Sequence, residues 1–200
     1  MAMAFEISED FVATHNRTLE KELAEDFGHL GRQLARRGVD IEAMTKRAMA
    51  YSVAVPTWGV GTGGTRFARF PGPGEPRNVF DKIDDCGVIH QLTQSTSTIS
   101  PHFPWDKVKD YSALRQAAAR YKLGFDAVNS NTFQDQPGQT QSYATGSLAS
   151  TVETTRAQAV EHNIECIEIG RQLGSRDITV WLGDGTNFPG QQDLGRSLDR

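Results

Sequence analysis

The stretch VPTWGVGTGGTRFARFPGPGEPRN, residues 55–78, decides which kind of α/β protein this chain forms. Gly59, Gly61 and Gly64 satisfy the formula G-x-G-x-x-G. A dinucleotide cradle needs a helix to open at the third glycine, because the pyrophosphate rests on that helix's first amides. Here Gly64 runs into TRFARFPGPGEP, and Pro71, Pro73 and Pro76 forbid an immediate helix. A Walker A loop fails as well, since no Lys-Ser or Lys-Thr follows the glycines. The segment reads instead as a long loop that presents Arg66, Phe67, Arg69 and Phe70, a lid or an intersubunit arm.

Outward from this loop the pattern alternates. YSVAVPTW (51–58) reads as a strand, and Asn78 caps a helix over about 79–94 with Asp81 in its first turn. STISPHFPW (97–105) is a second strand, followed by a helix in YSALRQAAARYKL with Asp110 as cap and Gly124 as stop. GFDAVNSNTF (124–133) is a third strand. A long helix over roughly 148–173 then carries Val160, Ile164 and Ile167 on one side, and DITVWLGDG (177–185) is a fourth strand. Before all this, residues 8–50 read as helix, with Leu19, Leu23, Phe27, Leu30 and Leu34 in an amphipathic stripe, a stop at Gly38 and a new cap at Asp40.

Strand, loop and helix in repeated order predict a parallel α/β fold. A doubly wound sheet is complete with four or five strands, whereas a (β/α)₈ barrel of TIM type needs eight and about 250 residues. The chain ends at Arg200 inside a helix-like segment. The expectation is therefore about four of eight barrel units over residues 51–200, a truncated half, preceded by a helical segment at 1–50.

With 38% apolar and 23% charged residues, the chain has the composition of an ordinary globular protein. A net charge of −4 offers no general attraction to nucleic acid or anionic lipid. No apolar run approaches the ~20 residues that cross a bilayer, and the acidic N-terminus is no signal peptide, so a cytoplasmic location is expected. Cys86 and Cys166 form no CxxC and read as free thiols.

Both architectures bind ligands at the carboxyl ends of their strands. The first strand delivers Trp58 there, the second His102, Trp105 and Asp106, the third Asn129, Asn131 and Phe133, and the fourth Trp181, Asp184, Asn187 and Phe188. All three tryptophans of the chain fall at such ends. Aromatic faces beside amides and an imidazole suit a sugar, whose C–H faces stack while its hydroxyls hydrogen-bond; they suit a purine as well. Elsewhere, His90 shares a helix face with Val79, Ile83 and Cys86 and reads as a buried, satisfied side chain. His162 and Cys166 stand four apart as a metal pair without further ligands, and Asp84-Asp85 reads as a solvated pair.

The strings VAVPTWGVGTGGTRFARFPGPGEPRNVFDKIDD, SPHFPWDK, FDAVNSNTFQDQPGQ, TRAQAVEHNIECIEIGRQLGS and VWLGDGTNFPGQQ resemble the bacterial L-rhamnose isomerases of broad sugar specificity, from about residue 30 onward. The resemblance covers the N-terminal half of such an enzyme, whose barrel is that of the D-xylose isomerases. It implies an aldose–ketose isomerisation that moves hydrogen between C1 and C2, with a divalent metal, Mn²⁺ above all, held by residues beyond Arg200 and by none in this chain. It implies a homotetramer, and a substrate wall of Trp58, Phe67, Trp105, Phe133 and Trp181. His102 is the residue implied to touch sugar oxygens, and with an ordinary pKa near 6.5 it is the candidate for assisting ring opening. An epimerase of the same barrel superfamily, or a non-catalytic half-barrel that binds carbohydrate or self-associates, remains the alternative.

Overall fold

Ser8 opens the first helix, its hydroxyl accepting the Phe11 amide at 3.1 Å. In the computed structural model the described residues are 7–61, 72–183, 185 and 193–200. The arm with Arg66 and Phe67 lies outside them, as do Asp184, Asn187 and Phe188. Helix α1 spans Glu9–Ala35 and α2 spans Ile41–Met49. Gly38, at φ +73°, turns the chain between them, and Asp40 caps α2 by accepting the Glu42 and Ala43 amides. Leu19, Leu23, Phe27 and Leu30 of the stripe stay exposed.

Strand β1 is only Ala54–Pro56, because the chain bends at Thr57 into the single turn α3, Thr57–Val60. Helix α4, Val79–Thr93, starts on the Asn78 cap. Pro101 has no N–H to give a ladder, so the second strand is split into β2, Thr98–Ser100, and β3, His102–Phe103. Helix α5, Tyr111–Arg120, starts on Asp110 as the sequence predicts, but it does not end at Gly124. Lys122 takes the left-handed turn at φ +59°, and the Leu123 amide returns to the Ala118 carbonyl at 3.0 Å. Gly124 is thereby free to open β4, Gly124–Phe125, which leads into β5, Val128–Thr132.

Helix α6 is Glu153–Leu173, beginning later than the predicted 148. The reason is local. The Ser147 amide and hydroxyl are both tied to Gly183, which holds residues 147–150 in a turn against the end of β6, Ile178–Leu182. A short α7, Leu194–Leu198, follows. Val160, Ile164 and Ile167 face outward, exposed; the side of α6 that packs inward is Ala159, Cys166, Ile169 and Leu173.

All strand pairings among the described residues are parallel, in the orders β1-β2-β4 and β3-β5-β6. Since β2 runs into β3 and β4 into β5, four extended segments lie side by side in chain order. A doubly wound sheet reverses its order at a switch point; no reversal occurs among the described residues, and they close no barrel. Helices α4, α5 and α6 cover one face through Val79, Ile83, Cys86, Leu114, Ala117, Ala118, Cys166, Ile169 and Leu173, which enclose Ile99, Phe103 and Val128 of the sheet. Both thiols are free and buried there, and burial pushes each up to about 12.

One irregularity sets the opposite face. Ile99 pairs with Phe125 and His102 with Asn129, so Ser100 and Pro101 on one strand oppose Asp126, Ala127 and Val128 on the other. The extra residue is a bulge. It keeps Phe125 and Val128 both on the helix-covered side and turns Asn129 to the side of His102. From there the register is regular, with Asn129 opposite Thr179 and Asn131 opposite Trp181.

Candidate functional site

On the face away from the helices, His102 is the centre of an aromatic cage. Its ring centroid lies 4.2 Å from that of Trp105, 5.1 Å from Trp58, 6.1 Å from Trp181 and 6.3 Å from Phe133. Trp58 meets Trp181 edge to face at 6.2 Å, and Phe133 meets Trp181 at 6.0 Å. Four separate extended segments thus bring five of the six residues expected at a substrate wall to one place. Phe67, the sixth, lies outside the described residues.

Two of the rings are held by hydrogen bonds. Asn129 gives its amide N–H groups to Ser100 Oγ at 2.8 Å and to the Pro101 carbonyl at 3.0 Å, and its Oδ1 accepts the Trp181 indole N–H at 2.9 Å. The bulge is therefore bridged by the same side chain that orients a tryptophan. Trp105 donates its indole N–H to Gln136 Oε1 at 3.2 Å. Replacing Asn129 by Leu leaves the Trp181 indole unpartnered and removes the side-chain donor from the Pro101 carbonyl, which keeps only the backbone amide of residue 129, and lowers stability by about 1–3 kcal/mol, read from the urea midpoint.

His102 itself is 3% exposed, and neither ring nitrogen has a hydrogen-bond partner. Burial, followed by the nearby His162 and Lys82, pulls its pKa down to about 3. The ordinary pKa near 6.5 expected for this residue is therefore not what its surroundings give. The imidazole is neutral throughout the physiological range, because a charge has no water around it here. A neutral ring still carries one N–H donor and one bare nitrogen acceptor. Leaving both unused in a buried place costs roughly 1–3 kcal/mol each.

Behind the cage sits an ion pair that the sequence reading passed over. Lys82, on α4, is 2% exposed and reaches Asp106 Oδ1 at 2.8 Å. Asp106 Oδ2 accepts the Thr57 hydroxyl at 2.5 Å and the His102 backbone N–H at 2.8 Å. The lysine was visible in principle: it stands at helical spacing with Val79, Ile83 and Cys86, on a face that packs inward. Gly61 of the opening stretch belongs to this arrangement. Its backbone is extended, and a Cβ there would fall 2.8 Å from the Pro76 carbonyl and 3.0 Å from Lys82 Cε. That glycine makes room for a lysine.

The other candidates resolve differently. His162 Nε2 accepts the Asn131 amide at 3.1 Å, which places the proton on Nδ1 and occupies the nitrogen that stands 3.6 Å from the Cys166 thiol. Burial, the main influence, lowers its pKa. His90 is half-buried with Nδ1 lacking a partner, so the satisfied core histidine expected there is not what forms. Asp84 is half-buried and accepts the Tyr121 hydroxyl at 2.9 Å, unlike a solvated residue, while Asp85 is raised by partial burial and then by Asp84 and Asp81.

Among the described residues, no three His, Cys, Asp or Glu side chains gather to hold an ion. Asp106, the carboxylate bonded to the His102 backbone, is already committed to three donors. The described donor set does not fit a metal. No helix among them is long and apolar enough to cross a membrane.

No family model matches the chain. Over 198 residues, 99% of this chain, it is 56% identical to a protein of Rhizobium meliloti (strain 1021) named a probable sugar isomerase. Over 194 residues, 97% of the chain, it is also 56% identical to a probable sugar isomerase of Mesorhizobium japonicum (strain LMG 29417 / CECT 9101 / MAFF 303099). The chain spans 46% and 45% of the lengths of these two relatives.

Proposed function

We propose that this chain supplies the substrate-binding wall of an aldose–ketose sugar isomerase of the L-rhamnose to L-rhamnulose type. The observation that carries the reading is the buried imidazole with two unused nitrogens inside a cage of Trp58, Trp105, Phe133 and Trp181. Extensive identity to proteins named probable sugar isomerases supports the reaction class. Indole faces receive the sugar's C–H groups, and a 6-deoxy sugar adds a methyl that gains by leaving water.

In this reading His102 holds sugar oxygens as a neutral partner, donating at one nitrogen and accepting at the other, and orients the chain of the sugar as its ring opens. The isomerisation moves one hydrogen from C2 to C1 and one proton from O2 to O1, so aldose and ketose have the same formula. A divalent ion, Mn²⁺ above all, would supply polarisation of the sugar oxygens in this reading, and residues outside this chain would hold it. The four segments in chain order support half of a (β/α)₈ barrel, completed by the rest of the polypeptide. A homotetrameric assembly with Phe67 reaching a neighbour's site, in the cytoplasm, goes with the same reading.

The test is direct. The intact protein, supplied with L-rhamnose and Mn²⁺, forms a ketose, and chelation abolishes the product. Formation of a C2 epimer without ketose would replace the isomerase by an epimerase. Saturable sugar binding with no product at any metal would make the cage a carbohydrate-binding surface.

A further inference from the structure

Asp106 stands where three pieces of the cage meet. Its Oδ2 accepts the Thr57 hydroxyl, one residue before Trp58, and the His102 backbone N–H. Its own amide closes the turn by donating to the His102 carbonyl at 3.0 Å, and Trp105 lies inside that turn. Its Oδ1 is taken by Lys82, whose side chain is buried along with the carboxylate. A carboxylate withdrawn from water in this way is costly even when paired, and hydrophobic replacements of such pairs are often no less stable. Something other than stability therefore accounts for a charge pair at this position.

We infer that Asp106, locked by Lys82, is the positioning residue of the site, fixing the turn that bears His102 and Trp105 against the turn that bears Trp58. Lys82 pins one oxygen so that the other faces its two donors in a single geometry. The Gly61 backbone passes alongside, leaving the space the lysine stem fills. The inference rests on the sugar-isomerase reading for its kinetic readout, but the geometry it asserts is independent of the substrate.

Two double variants separate position from charge. Lys82→Met with Asp106→Asn removes both charges and keeps an oxygen acceptor for Thr57 and His102. Lys82→Met with Asp106→Leu removes the charges and the acceptor together. Lys82→Met alone strands a buried carboxylate and lowers the melting temperature by about 10 °C, and both doubles recover most of that loss. Turnover of L-rhamnose by the intact protein falls at least tenfold in the Leu double and is substantially rescued in the Asn double. The proton NMR line of His102 Cε1–H, displaced by the surrounding ring currents, moves toward the free-histidine position in the Leu double and holds its place in the Asn double.

Should the Leu double fail to fold, Thr57→Val tests the same point with the ion pair intact: kcat/KM falls severalfold, the His102 line shifts, and Thr57→Ser restores both. A Leu double, or a Thr57→Val variant, that keeps the His102 line in place overturns the inference. If the parent protein turns over no sugar, the functional reading fails while the His102 line still decides the positioning role.

Discussion

At pH 5, a His102→Leu variant melts above the parent protein and, on the proposed isomerase reading, turns over L-rhamnose about a hundredfold more slowly. The two effects have one cause. In the parent, folding buries an imidazole whose pKa drops from its ordinary 6.5 to about 3. The unfolded chain takes up a proton as pH falls below 6.5, and the folded chain does not follow until about 3. Stability is thus lost progressively across that window as pH falls, about 2 kcal/mol of it by pH 5 at 1.36 kcal/mol per unit. Leucine, near histidine in volume, removes this penalty and the two unpartnered nitrogens with it. The check is a pair of melting curves taken from pH 4 to pH 8. The gap between variant and parent should widen toward acid; parallel curves would show that the imidazole is not held neutral.

A second large effect comes from the packing behind the site. Gly87→Ala costs about 3 kcal/mol, because its Cβ would sit 2.5 Å from Tyr121 Cγ and closer still to Cδ1. The tyrosine cannot retreat cheaply, since its hydroxyl is bonded to Asp84 on the same helix as Gly87. In a Tyr121→Ala background the same glycine change costs far less, so the two substitutions are strongly non-additive in urea unfolding. Additive losses would mean that α4 and α5 are not in contact there.

What the sequence made legible was what neighbours in the chain determine. Asp40, Asn78 and Asp110 cap the helices they were expected to cap, because a cap needs only the amides two and three residues on. The convergence of Trp58, His102, Trp105, Phe133 and Trp181 was legible too, since strand ends in a parallel sheet share one rim. What escaped depended on distant partners. The bulge that turns Asn129 toward His102 exists only relative to the neighbouring strand, and nothing in GFDAVNSNTF announces it. Lys82 stands on an inward helix face, but its partner is invisible until Asp106, on another segment, is brought against it. The lowered pKa of His102 escaped for the same reason: a residue's ordinary pKa carries no information about the four rings packed around it.

The gathering of all three tryptophans in one cage has an optical consequence. Indole emission from this chain originates wholly in the cage, since the chain has no tryptophan elsewhere. A protonated imidazole quenches indole far better than a neutral one, and His102 stays neutral down to about 3. The emission should therefore remain flat under mild acidification and change when a sugar slides between the rings, so the segment carries its own built-in reporter of occupancy.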